Sequence, residues 1–341
     1  MVDLSFHFNL RKRAIRILRN TKSIKILIPI KSGQKNTLYL QCTVPLKSGQ
    51  FNNSKLPFLM KRFFILFFIL SFKLSAQTVC DLQSREKLES TLENLSQENN
   101  PNNPIHLQAI EIGQSFLKTP YVEKTLEVPG PEQLVINLMG VDCTTFVETV
   151  LGLTRISQMG KFSMKNFEEE LEKIRYRQGE NKGYTSRLHY FSDWIYDNEQ
   201  KGIVMDMTQA IGGISYTNKP SFMTENPQFY PQLSQKANVD QLRLIESAIA
   251  KRSYYFIPKD QIHSVEEKIQ SGDIIAITTT IPNLDMVHVG FAIEKNGRIH
   301  LLHASSKNKE VEISALPLHD YLQGNRTQSG IMVGRLVELS K

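Results

Sequence analysis

The segment Gly140-Val141-Asp142-Cys143-Thr144-Thr145-Phe146-Val147-Glu148 puts a thiol where it can act as a nucleophile. Phe146, Val147, Val150, Leu151 and Leu153 recur at helical spacing, so the spacing predicts a helix opening near Asp142. Asp142 suits the cap position, which leaves Cys143 as the first helical residue. Unpaired N–H groups and the positive end of the helix dipole there favour the thiolate, the nucleophilic form. The competing reading is a buried structural cysteine, the commoner fate of this residue type. Chemistry also requires a base within hydrogen-bond reach of the sulfur and a group that orients the base.

After residue 77 the chain offers His106, His189, His263, His288, His300, His303 and His319. In Val287-His288-Val289-Gly290-Phe291-Ala292-Ile293, strand alternation puts the large apolar residues on one face and His288, Gly290 and Ala292 on the other. That second face leaves room for a helix to lie close. Asn296-Gly297 is a strong two-residue hairpin signal. Such a turn pairs Lys295 with Arg298 and sets His303 diagonally across from His288, at about 7–8 Å between backbones. A three-residue turn reverses the parity and favours His300. The arrangement expected is therefore Cys143 as nucleophile, His288 as base and later acid, and His303 fixing the tautomer of His288. The Cys143 N–H is a candidate oxyanion donor. A zinc site built on His300-x-x-His303, His288 and Asp285 is disfavoured, since strand residues three apart point to opposite faces. No metal and no cofactor are expected.

The elements that must position these groups change along the chain. Leucines at 82, 88, 92 and 95 mark a helix capped by Asp81, and further helical stripes cover 104–117, 163–177 and 188–198. Beyond residue 270 the period shortens to β-branched runs at 274–278, 287–293, 298–303 and 331–339. Helices followed by an antiparallel meander indicate an α+β domain. The net charge of +7 belongs to the front of the chain, where residues 1–76 hold 14 Lys and Arg against Asp3 alone. The remainder carries a net −6, which gives no case for a nucleic-acid partner. Met60-Lys61-Arg62, the apolar run Phe63–Leu70 and the small residues before Gln77 describe a secretory signal peptide rather than a membrane span. The division expected is thus 1–59 as a mis-assigned upstream extension, 60–76 as signal peptide, 77–104 as a helix and polar turn, and 105–341 as the working domain. An exported, periplasmic protein without a stable membrane anchor follows.

Four stretches together resemble the NlpC-type, papain-like cell-wall peptidases. Asp142-Cys143-Thr144-Thr145-Phe146-Val147 is similar to their nucleophile motif, and Gly272-Asp273-Ile274-Ile275 to the Gly-Asp before the histidine strand. His288-Val289-Gly290 resembles their His-Val-Gly, and His303-Ala304-Ser305 their third polar position. Three further stretches resemble one subgroup, the N-acetylmuramoyl-L-alanine amidase-like family. They are Thr119-Pro120-Tyr121-Val122 with Thr125-Leu126-Glu127, Ser186-Arg187-Leu188-His189-Tyr190 with Trp194, and Tyr254–Lys259. The resemblance implies a papain-like fold with the nucleophile helix packed on a C-terminal antiparallel sheet. It also implies hydrolysis of the N-acetylmuramoyl-L-alanine amide of peptidoglycan fragments, 1,6-anhydro forms among them. Tyr121, Glu127, Arg187, His189 and Tyr190 become the candidate substrate-binding residues, with Arg187 suited to a stem-peptide carboxylate and Tyr190 to a sugar ring. Two alternatives remain open: an endopeptidase cutting between D-glutamate and the diamino acid of the stem, and a muropeptide-binding protein without activity.

Overall fold

The computed structural model describes residues 78–98, 100 and 103–339, together with the backbone of five short strands between residues 9 and 45. The chain divides into two units, Met1–Lys73 and Leu74–Lys341. In the first, Ser23–Ile30 lies between Arg16–Arg19 and Leu38–Pro45 in an antiparallel sheet. The signal-peptide expectation for 60–76 falls outside the described residues. No described helix is long and apolar enough to cross a membrane.

The second unit opens with β1 (Thr78–Cys80), paired in parallel with β2 (Leu134–Ile136), and with α1 (Leu82–Glu98). Asp81 caps α1 by accepting the Ser84 N–H at 2.8 Å. Next come α2 (Ile105–Ser115), α3 (Cys143–Gln158), α4 (Met164–Arg175) and α5 (Phe191–Gln200). Every residue of α3 from Thr145 to Ser157 is buried, so this helix is the spine around which the others pack. The last helix starts later than its apolar stripe suggests. Arg187 is drawn into a bridge with Tyr176, and the Leu188 N–H donates to the Arg175 carbonyl before the helix can begin.

The sheet comprises β3 (Val204–Asp206), β4 (Ile214–Tyr216), β5 (Tyr254–Pro258), β6 (Ile274–Thr279), β7 (Met286–Lys295), β8 (Arg298–Ser305), β9 (Glu310–Ile313) and β10 (Gln328–Leu336). Its order is β9-β8-β7-β6-β10-β5-β4, with β3 also on β10 and every pairing antiparallel. A helix at Lys236–Ile249, α6, lies between β4 and β5 in the chain. The fold is therefore mixed α and β with an antiparallel sheet.

One sheet face packs on α3, with Phe146 edge-on to Phe291 at 6.0 Å between ring centres. Full burial of Phe146 contributes about 2–3 kcal/mol. The other face carries Ile275, Ile277, Ala292, Leu301 and Val333 and is covered by a short helix, Leu318–Gln323. The helix on the face of Ala292 is thus this one, and α3 sits on the opposite face. Strand β7 is also less regular than its alternation suggests. His288 pairs with Ile277 and Met286 with Thr278, so Val287 is a one-residue bulge. The bulge sends Val287 to the second face and Met286 to the face of Val289, Phe291 and Ile293.

Candidate active site

Asp142 has extended backbone angles and accepts the Thr145 N–H at 2.7 Å, while its own N–H donates to Thr145 Oγ1 at 2.9 Å. This reciprocal cap contributes about 1 kcal/mol and fixes Cys143 as the first residue of α3. It takes the Thr145 N–H, and the Asp142 carbonyl takes that of Phe146, so the Cys143 and Thr144 N–H groups lie outside the cap.

The hairpin that carries the histidines has the register of a two-residue turn: Lys295 pairs with Arg298, and pairing continues to Phe291 with Leu302. Past that point the Val289 N–H is directed at the Cys143 sulfur. Gly290 is required beside it, because a Cβ there would lie 2.8 Å from the Cβ of His303. With that space open, the two rings meet edge to face, and His288 Nε2 lies 2.6 Å from His303 Nδ1. His300 points elsewhere, its Nδ1 donating to the Ser314 carbonyl at 2.8 Å. Among the described hydrogen bonds none joins Cys143 to His288; the sulfur is met by the Val289 N–H and by Thr144.

The Gly-Asp before β6 has a structural task. Gly272 adopts φ +91°, and a Cβ there would strike the His106 carbonyl at 2.4 Å. The buried Asp273 holds Arg335 of β10 through two contacts, at 2.8 and 2.7 Å.

Electrostatics departs from the thiolate expectation. Burial pushes the Cys143 thiol up to about 12, and the Asp142 charge adds to the rise, against the lowering effect of the Val289 and Thr144 donors. Burial likewise pulls His288 down to about 3, with His303 adding to it, and pulls His303 down to about 4. The thiol and both imidazoles therefore rest neutral. Spacing alone reveals the helix dipole but not the desolvation that outweighs it.

Beside Asp142 and Thr144 opens a cleft of about 700 Å³. Arg187 and Glu127 line it, joined at 2.5 Å, and Arg187 is also 3.6 Å from Glu132 and lies over the Tyr184 ring. These carboxylates hold the buried Arg187 above its ordinary value despite desolvation. His189 lines the cleft as well; its Nε2–H donates to the Tyr184 carbonyl at 2.9 Å, and burial pulls it down to about 3. Tyr121 is half-buried near Cys143, where burial first, then Cys143 and Asp142, raise its phenol. Tyr190 is not brought to the cleft. It is buried, with its hydroxyl donating to Glu246 of α6 at 2.7 Å and accepting the Met223 N–H at 2.9 Å. Trp194 is buried too, its Nε1–H donating to Glu148 at 3.2 Å.

Glu148, at the end of the Cys143 segment, also lines the cleft, as do Lys124, Arg175 and the wall Gln228-Phe229-Tyr230-Pro231, which carry no motif in the sequence. Phe229, 57% exposed, is the wall's apolar surface. Among the described residues no group of three or more His, Cys, Asp or Glu side chains converges as a metal site.

Against known proteins, the profile of the N-acetylmuramoyl-L-alanine amidase-like family matches residues 111–331. A solved N-acetylmuramoyl-L-alanine amidase from Bacteroides uniformis is 40% identical, with a TM-score of 0.66 over 68% of this chain and 99% of its own. A Bacteroides fragilis structure provisionally named a xylanase is 39% identical, with a TM-score of 0.63 over 66% and 99%. A Legionella pneumophila protein at 24% identity shares the fold, with a TM-score of 0.58 over 75% and 96%. No curated protein matches the chain. The family profile spans α3, the cleft and both histidine strands, and the chain belongs to the N-acetylmuramoyl-L-alanine amidase-like family.

Proposed function

We propose that this protein is a cysteine amidase that hydrolyses the bond between the lactyl group of N-acetylmuramic acid and L-alanine in peptidoglycan fragments. The observation that carries this reading is a helix-opening thiol met by the N–H of Val289, the residue after His288, together with the hydrogen-bonded His288–His303 pair, in a chain of an amidase-like family. Its fold is read as papain-like, of the NlpC type.

In this mechanism the Cys143 proton passes to His288 Nδ1 as the sulfur attacks the amide carbonyl carbon. Deprotonation accompanies attack because the resting thiol is neutral. The oxyanion forms near the start of α3, where the Cys143 N–H is free of the cap. Collapse breaks the C–N bond, and the alanine amine leaves with the proton from His288. Water then attacks the thioester, giving its proton to His288 and releasing the lactyl carboxylate and the thiol. The missing thiol–imidazole hydrogen bond is consistent with catalytic contacts that tighten only when substrate is bound.

Arg187, Glu127 and His189 are proposed to bind the substrate from the cleft, with Tyr121 beside the nucleophile. Glu127 Oε2 is buried without a hydrogen-bond partner and is available to a substrate N–H or hydroxyl. A glycosidase would need two carboxyl groups free for acid and base work. Here Glu148 is bound to Arg175 at 2.6 Å and Asp142 to the helix cap, which leaves one Glu127 oxygen uncommitted among the carboxylates that line the cleft. That commitment supports the amidase over a sugar-cleaving reaction. The signal-like segment supports action outside the cytoplasm, in the periplasm, on muropeptides.

Digestion of anhydro-muropeptides by wild type and by Cys143→Ala, read by mass spectrometry, tests the proposal. Free disaccharide plus intact stem peptide is expected from wild type, and a loss of at least about 1000-fold from the variant. A shortened stem still attached to sugar would make the protein an endopeptidase, and unaltered substrate with retained binding would make it a binding protein.

A further inference from the structure

His303 is fully buried and its ring is satisfied on one side only. Nδ1 meets His288, while Nε2 is enclosed by protein with no hydrogen-bond partner. Leaving a buried ring nitrogen unmatched costs about 1–3 kcal/mol. The charged group facing it is Glu312, whose Oε1 lies 3.7 Å from Nε2. Glu312 is the cross-strand partner of His303 in the β8–β9 ladder, so backbone pairing fixes its approach. Asn308, in the turn between those strands, holds the carboxylate, with Nδ2 at 2.8 Å from each oxygen. The Asn308 N–H in turn donates to Ser305 Oγ at 3.1 Å.

We propose that Glu312 is a positioning residue that sets the proton arrangement of the two histidines, extending Cys143–His288–His303 into a four-membered relay. Facing a carboxylate, His303 carries its proton on Nε2 and keeps a lone pair on Nδ1. That lone pair accepts the Nε2–H of His288, and His288 then presents a free Nδ1 lone pair, the state that can take a thiol proton. The reverse arrangement puts an imidazole lone pair against a carboxylate and leaves the proton of His288 on Nδ1, where it blocks the base. At 3.7 Å the contact is longer than a hydrogen bond, and it shortens when substrate orders the relay. The other titratable groups around the pair are Cys143 and Tyr321, whose ring is edge-on to His303 at 5.6 Å. Lys118, nearby, is engaged by Glu310 at 2.5 Å.

The inference rests on the cysteine-amidase reading, and the test separates the two. Full-length wild type, Cys143→Ala and Glu312→Leu are compared on the muropeptide substrate. With Cys143→Ala inactive, Glu312→Leu is expected to lower kcat at least about 10-fold with KM within about twofold. Its acid limb should move to lower pH, because the lost carboxylate no longer favours the protonated base. Cys143→Ala with undiminished turnover sinks the amidase mechanism, whereas an inactive Cys143→Ala beside a Glu312→Leu with wild-type kcat and pH profile sinks the role of Glu312 alone. Nitrogen-15 imidazole NMR decides without turnover and without a folded Glu312→Leu. In Cys143→Ala, His303 should be the Nε2–H tautomer, and an Nδ1–H tautomer overturns the proposal.

Discussion

The two ends of the site both take ionisable groups out of water and treat them in opposite ways. At the Cys143 end, Cys143 and His288 have no countercharge in contact and Glu312 stands off from His303 at 3.7 Å, so desolvation wins and all three rest neutral. Along the cleft, Arg187 is buried as well but is met by Glu127 and Glu132, and it stays charged. Burial alone therefore does not decide protonation; the presence of a partner does. The cleft end is a fixed electrostatic frame. The Cys143 end leaves its imidazoles uncharged, the form that the proposed base would need to take up a proton.

The sharpest way to break this contrast is to remove the charge that completes the frame. Arg187→Ala leaves two carboxylates facing each other in the cleft wall and should cost about 3–5 kcal/mol of stability, read by denaturant unfolding. A loss within about 0.5 kcal/mol would mean that the cleft ion pairs do no structural work. At the catalytic end, Gly290→Ala pushes against the His303 Cβ. It should lower kcat about 10- to 100-fold while costing about 1–3 kcal/mol of stability. Wild-type kcat with an unmoved His303 would show that the ring does not need that space.

The smallest effect tests the neutral thiol itself. Because the Cys143 pKa is raised, the thiolate fraction at neutral pH is small, and alkylation by iodoacetamide should climb about tenfold per pH unit without levelling below pH 10. Asp142→Asn keeps a capping oxygen but removes the charge that raises the thiol, so alkylation at pH 8 should increase up to about tenfold. A plateau at neutral pH would instead mark a thiolate–imidazolium pair.

What the sequence discloses follows from how local the cause is. The Asp142 cap and the Asn296-Gly297 register involve residues within a few positions of one another, and both are legible in the chain. The same register brings His288 to His303 and turns His300 away. Desolvation of Cys143 depends on everything packed around α3, which no spacing records. Tyr190 reads as a candidate sugar platform until Glu246, 56 residues away, takes its hydroxyl. The wall at Gln228–Pro231 and helix α6 carry no periodic motif tied to the chemistry, and the Val287 bulge is invisible to simple alternation.

That bulge has a mechanical result. One surplus residue lets the strand change faces between Met286 and His288, so what precedes it is uncoupled from the base that follows. Upstream, Asp285 holds the start of α5 through the Ser192 N–H, and the Asn283 carbonyl accepts the N–H groups of Ser221 and Phe222, just ahead of the cleft wall. The contacts that seat the cleft wall and those that aim the His288 ring thus lie on opposite sides of one extra residue.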